Sequence, residues 1–325
     1  MAGETTYAAQ ETAGARVDAV LAAAVEGMLD RVLHDATDLG MVAVKVPFTP
    51  GSDTNTSHRK PAPVAAASAS SETSGGGSNT AYTPVPFNLS PTRRYVKFQP
   101  TDLALITDPV TADPEDPRFP AVVADIVRLL VMSLGLTVTD AISALFTSVS
   151  TTVGVTTVAL KVDDLFDGQF ALNMANVELS AENPGIAVLS PRQINHTQDD
   201  LRGETGALMW QQATADMLKA RGPGVRGSWN NFIFIQSDSC PLSDSSTNRN
   251  GCMMAADAFA FQLAPVTPVV KSIPAQNVLL AVEEMFVEIS RDADNGMTTY
   301  FGNFWLAAAL AGEQGRAVRV RSSAS

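Results

Sequence analysis

Ser190, His196, Asp199 and Asp200 lie close together in the segment SPRQINHTQDD. A serine, an imidazole and a carboxylate are the parts of a nucleophilic triad, which would make the chain a soluble hydrolase. Two features argue against that chemistry. Triads converge from distant segments, whereas these residues follow one another along a single predicted helix. The serine of an α/β-hydrolase also sits in a strained G-x-S-x-G turn that exposes its hydroxyl, and Ser190 sits in VLSPR. A serine just before a proline and a helical stretch reads as an N-cap, and His196 as an ordinary surface or interface histidine. Asp163, Asp164 and Asp167 are a second candidate, as paired carboxylates for acid–base work. A helix N-terminus favours the same residues, because its dipole attracts negative charge.

Metal and phosphate chemistry have less material. Asp292-Ala293-Asp294-Asn295-Gly296 resembles the opening of a calcium loop. Such a loop needs an oxygen ligand at its fifth position and a bidentate glutamate at its twelfth. Those positions hold Gly296 and Asn303. The flanks MFVEIS and MTTYFGNFW are rich in β-branched and aromatic residues, so the stretch reads as a hairpin with Asn295-Gly296 in its turn. Cys240 and Cys252 are the only two cysteines, beside three histidines, His34, His58 and His196. That is too little for a Cys/His zinc site; one disulfide or two free thiols are both open. ARGPGVRGSW carries glycines and arginines but follows a helix instead of opening one, so it makes a poor phosphate cradle. No dinucleotide fingerprint, Walker loop or H-E-x-x-H helix occurs. No catalytic residue, cofactor or metal ligand is therefore expected.

The elements that would hold these residues alternate irregularly, which indicates an α+β fold. The chain has 325 residues, enough for a sizeable core. Its start, MAGETTYAAQETAG, is polar and acidic where a secretory signal is basic and then apolar, and the apolar run Ile126 to Leu136 is too short to span a membrane. Val17, Leu21, Val25, Met28 and Val32 recur at helical spacing. MVAVKVPFTP and SPTRRYVKFQP read as strands. Between them runs a Ser, Ala, Gly and Pro-rich segment whose most flexible point is Gly75-Gly76-Gly77. From Pro120, Val123, Ile126, Val127, Leu130 and Val131 form a helical stripe. Gly135 is expected to kink or end that helix and Thr139-Asp140 to start another. TTVGVTTVAL reads as a strand, DDLFDGQFALNMANVEL as a helix, PGIAVLS as a buried strand, TGALMWQQATADMLKARGPG as one strong helix, and NNFIFIQS as a core strand.

Charge singles out one region. The chain carries a net −12, which argues against nucleic-acid binding by the chain as a whole. Residues 41–101 hold Lys45, Arg59, Lys60, Arg93, Arg94 and Lys97 against Asp53 and Glu72. This excursion is basic on an acidic body. A hairpin with legs of ~20 residues would reach ~65 Å at ~3.3 Å per residue, well beyond a radius of gyration of ~20 Å. A lone two-stranded ribbon is marginal in water, so the arm needs a surface from elsewhere, most simply an identical subunit.

The order of segments resembles a known family. A small N-terminal helix, a long basic β-excursion and an apolar helix come first. GIAVLSPRQINHTQDDLRGE, FIFIQSDSCP, GCMMAADAFAFQLAP and VEEMFVEISRDADNGMTTYFGNFWLAAAL follow. The chain is similar in this order to the major capsid proteins of tailed bacteriophages, with the Hong Kong 97-type fold. The resemblance implies an N-terminal arm over 1–40 and an extended loop (E-loop) with its base over 41–101. It implies a peripheral domain over 102–149 with the spine helix at 119–148, a mostly axial domain over 150–265, and return strands with a C-terminal segment over 266–325. It further implies a non-enzymatic subunit forming hexamers and pentamers of an icosahedral head around double-stranded DNA. Scaffold, portal and decoration proteins are the partners it suggests, with assembly in the host bacterial cytoplasm and residence in the virion. No Lys–Asn crosslinking pair can be matched. A nanocompartment shell of the encapsulin type, on the same fold, is the alternative. Arg59, Lys60, Arg93, Arg94 and Lys97 are the expected inter-subunit contacts.

Overall fold

The computed structural model describes residues 39–40, 42–49, 55–58, 86–98, 119–175 and 177–323, the last range with breaks at 178, 181, 204–209, 222–223, 243–247, 274–277, 282–283, 293–296 and 312–314. The expected N-terminal helix, the Gly-rich tip, Arg59 and Lys60 lie outside the described residues.

Among the described residues the first elements are β1 (Val44–Lys45), β2 (Asn55–His58), β3 (Pro86–Leu89) and β4 (Thr92–Phe98). Helix α1 (Phe119–Ala144) follows and passes through a 3-10 turn (Leu145–Ser148) into β5 (Thr152–Val153). Next come α2 (Val162–Met174), β6 (Gly185–Leu189), α3 (Pro191–Gly203), β7 (Gln211–Gln212), α4 (Ala215–Arg221), β8 (Val225–Trp229) and β9 (Phe232–Gln236). The chain closes with β10 (Asn248–Met254), β11 (Phe259–Leu263), α5 (Thr267–Val270), β12 (Val278–Ala281), β13 (Met285–Asp292), β14 (Met297–Leu310) and β15 (Ala317–Ser323).

Two sheets organise these elements. The six-stranded sheet runs β1-β11-β14-β13-β12, with β4 also paired to β14. The seven-stranded sheet runs β5-β15-β10-β6-β9-β8-β7. The expected hairpin around the false calcium loop is the β13–β14 pair, in register from Met285↔Phe304 to Asp292↔Met297. The turn itself, residues 293–296, lies outside the described residues. Strand β11 joins β14 in the six-stranded sheet, while β15, from the very end of the chain, enters the seven-stranded one. The fold is α+β, as the alternation indicated.

Side-chain alternation sends the two faces of each sheet to different places. In β9, Ile233 and Ile235 face one way, into the cluster that contains Phe146, Val287 and Phe304. Phe232 and Phe234 face the other way, onto Leu165 and Leu172 of α2 and Ile194 of α3. The largest core therefore lies between the two sheets and alongside α1. Helices α2 and α3 cover the opposite face of the seven-stranded sheet.

Three sequence expectations change. Helix α1 runs unbroken through Gly135 and Thr139-Asp140. A helical glycine costs about 1 kcal/mol against alanine. Leu130, Leu134, Val138 and Ile142, all buried at steps of four, each contribute about 1.5–3 kcal/mol on burial and outweigh it. In TTVGVTTVAL only Thr152–Val153 is strand, because Gly154 turns the chain at φ +75°. The predicted single helix in TGALMWQQATADMLKARGPG shortens to α4. Its first-turn amide, Met217 N, donates to Thr214 Oγ1 at 3.3 Å, so Thr214 is the cap. Gln211 and Gln212 pair with β8 instead. Trp210 packs on Phe234 at 5.0 Å between ring centres, and this contact with the sheet overrides helical propensity.

Candidate functional site

Of the would-be catalytic residues, Ser190, Asp164 and Asp200 serve as helix caps, while Asp163 and Asp167 are exposed on α2. Ser190 is buried. Its Oγ accepts from Gln193 N at 3.3 Å, and Ser190 N donates to Gln193 Oε1 at 2.9 Å. This is a reciprocal capping box at the start of α3. The Nε2 of Gln193, itself fully buried, also donates to the carbonyls of Arg249 and Val320 at 3.3 and 3.4 Å. Asp200 Oδ2 accepts from Val162 N at 2.8 Å and Asp164 Oδ2 from Lys161 N at 3.0 Å, so two carboxylates cap α2. Asp199 pairs with Arg202 at 3.1 Å on the surface. His196 is half-buried on α3, and burial, followed by the nearby Arg192, holds its pKa below the ordinary histidine value. Ser190→Ala is expected to lower stability by about 1 kcal/mol, the usual loss for a cap, as read by urea unfolding.

Cys240 and Cys252 are free, fully buried thiols. Burial pushes Cys240 up to about 12 and raises Cys252 as well. Both are protonated at neutral pH and are poor nucleophiles. Among the described residues no cluster of three or more His, Cys, Asp or Glu could hold a metal ion. No described helix is long and apolar enough to cross a membrane.

The described residues also present exposed surface that bears on function. The six-stranded sheet has one face on the core. Its other face is partly covered by the β2–β3 hairpin, whose Phe87 and Leu89 are buried against Ala260, Ala307 and Ala311. Alanine is a poor strand former, but its small side chain leaves room for these two residues. The excursion is thus seated on the body at its root, where the sequence suggested little packing. Strand β4 lies on β14 with Arg93, Tyr95 and Lys97 opposite Trp305, Asn303 and Phe301.

Arg93, one of the expected inter-subunit contacts, is exposed and also bonded within its own subunit. Its Nε and Nη2 donate to Oδ1 of the fully buried Asn303 at 3.0 and 2.6 Å, which ties β4 to its own sheet. Lys97 stands 5.8 Å over the Phe301 ring, and Tyr95 meets the same ring edge-on at 6.3 Å. Arg94, Tyr95, Lys97 and Phe98 are all exposed, with Tyr95 at 62%. Helix α2 exposes large apolar groups too: Phe166, Phe170 and Met174. A monomeric surface seldom carries such aromatic patches without a partner.

No protein-family model matches the sequence. No curated protein matches it either. Solved structures do. The head structure of Helicobacter pylori bacteriophage KHP40 superposes with a TM-score of 0.54 at 12% identity, covering 89% of this chain and 91% of that one. The capsid of an empty GTA particle gives 0.51 at 12% identity, over 89% and 91% of the two chains. The acidic stable capsid of Helicobacter pylori bacteriophage KHP30 gives 0.52 at 11% identity, again over 89% and 91%. The chain has the Hong Kong 97-type capsid fold.

Proposed function

We propose that the chain is the major capsid protein of a tailed bacteriophage, a structural subunit that self-assembles into hexamers and pentamers of an icosahedral head around double-stranded DNA. The observation that carries this reading is the likeness to phage heads over about nine-tenths of both chains. The exposed aromatic patches support it, because they call for neighbours. A net charge of −12 suits a container, since walls that bound DNA strongly would hinder its packaging and release. In the terms of this fold, 1–40 is the N-terminal arm, 41–101 the E-loop and its base, 102–149 the peripheral region with α1 as spine helix, 150–265 mostly the axial domain, and 266–325 the return strands. The partners are other copies of itself, with scaffold, portal and decoration proteins and with DNA held without sequence recognition. Assembly takes place in the host bacterial cytoplasm and the product resides in the virion.

The test is electron microscopy and sedimentation of the overexpressed chain, alone and with its neighbouring phage proteins. Closed shells or capsomers are expected. A stable monomer at high concentration under all these conditions would overturn the reading. Closed shells that enclose a cellular protein cargo and never DNA would favour a nanocompartment.

The exposed cations on β4 supply a sharper prediction. Arg94 and Lys97 have no acidic partner among the described residues, whereas Arg93 is occupied by Asn303. Arg94→Glu with Lys97→Glu should therefore leave the subunit folded by circular dichroism but defective in assembly. Each ion pair contributes only ~0–1 kcal/mol, yet symmetry repeats it around the shell. Salt should partly restore assembly by screening the new repulsion. Normal shells from this variant at low salt would remove the role of the basic cluster.

A further inference from the structure

We propose that the outer face of α2 is the surface on which the Tyr95–Lys97 face of β4 from an adjacent copy docks. The inference rests on the shell reading and names the acidic surface that the basic strand meets.

Helical geometry puts Asp163, Phe166, Asp167, Phe170 and Met174 on one stripe, at steps of three and four. The opposite stripe, with Leu165 and Leu172, is fully buried on the seven-stranded sheet. Phe166, Phe170 and Met174 remain 47%, 65% and 70% exposed, and both aspartates are exposed. No basic side chain interrupts the stripe. The helix is held firmly in this orientation. Asp164 and Asp200 cap it, Gln169 accepts from the Asn230 side chain at the β8–β9 turn, and Phe166 packs edge-on to Trp229 at 4.8 Å. A rigid, apolar and acidic ridge results.

The β4 face is its counterpart. Tyr95 and Lys97 project from the side of the six-stranded sheet that faces away from the core, the same side on which Phe87 and Leu89 seat the excursion. On β4 this face is aromatic and basic and carries no carboxylate; Glu288 of β13 lies on the same face, on the far side of Phe301 from Lys97. The chain therefore has two exposed aromatic patches of opposite charge, one on each sheet layer. They belong to different layers of the molecule, so they pair most simply between copies. A contact between two different patches is heterologous, and repeated rotation closes it into a ring. The occupant of the α2 ridge is thus a second copy of this chain.

A charge swap tests the pairing. Asp163→Lys with Asp167→Lys, and separately Lys97→Asp, should each leave the isolated subunit folded by circular dichroism, with only a small loss of stability at the start of α2 in the first, and reduce the shell yield about tenfold, since like charges then face each other. The triple variant should recover most of the wild-type yield. Normal yield from both parents, or a triple variant no better than its worse parent, would overturn the proposal. A second measurement does not depend on charge. Tyr95→Cys with Phe170→Cys, oxidised in assembled shells, should give a ladder of covalent oligomers on denaturing gels. The native thiols are buried and would stay silent. Monomers alone from fully oxidised shells would also overturn it. If the wild-type chain makes no shells, it is the capsid reading that fails, and the two failures are told apart.

Discussion

Phe146→Ala is expected to lower the stability of the subunit by about 3–5 kcal/mol, the usual loss for a large aromatic in a core. Phe146 is fully buried in the 3-10 turn that follows α1. Its ring meets Phe259 of β11 at 5.6 Å, and it belongs to the cluster that unites both sheets with the helix. Truncation would open a cavity where the polypeptide passes from one sheet to the other. A domain is stable by only about 5–15 kcal/mol, so about a fifth or more of the total is at stake. The urea midpoint of the isolated subunit should fall, and soluble shells should become scarce at 37 °C. A midpoint unchanged from wild type would mean that the two sheets do not share this core.

Gln193→Met is expected to cost about 3–5 kcal/mol although it replaces a polar side chain by an apolar one of similar size. Gln193 is fully buried and satisfies Ser190 N and the carbonyls of Arg249 and Val320, thereby joining α3 to β10 and β15. Methionine would leave three backbone groups without these partners, and each buried orphan costs about 1–3 kcal/mol. The contrast with Ser190→Ala, at about 1 kcal/mol, is informative. If Ser190 were a nucleophile the serine would be the critical residue; in a capping box inside a structural core the glutamine is. Equal effects of the two substitutions on the unfolding midpoint would show that the cross-strand bonds of Gln193 contribute little.

Short-range chemistry carried much of the fold in legible form. The runs GIAVL and FIFI are continuously apolar because β6 and β9 pair with each other and are covered on both faces, and such runs read as core strands from sequence. The β13–β14 hairpin was visible from β-branched flanks around Asn295-Gly296. Ser190 was recognisable as a cap because Pro191 and a helical stretch follow it. The basic character of β4 was a matter of counting charges.

Other features depend on contacts that no local pattern encodes. Arg93 looked like a free cation because its partner, Asn303, is 210 residues away in sequence. No local pattern in the alanine run shows that Phe87 and Leu89 pack against Ala307 and Ala311. On α2 the apolar residues fall on both sides of the helix. Periodicity would assign Phe166, Phe170 and Met174 to a core as readily as Leu165 and Leu172, and only the position of the seven-stranded sheet decides which stripe stays outside. Helix continuity at Gly135 was decided in the same way, by the burial of Leu130, Leu134, Val138 and Ile142 on one surface. The sequence alone determined what depends on neighbours along the chain: strands, caps, turns and net charge. The tertiary structure alone decided which cations are occupied and which apolar faces are left open for a partner, because those properties arise from groups brought together across hundreds of residues.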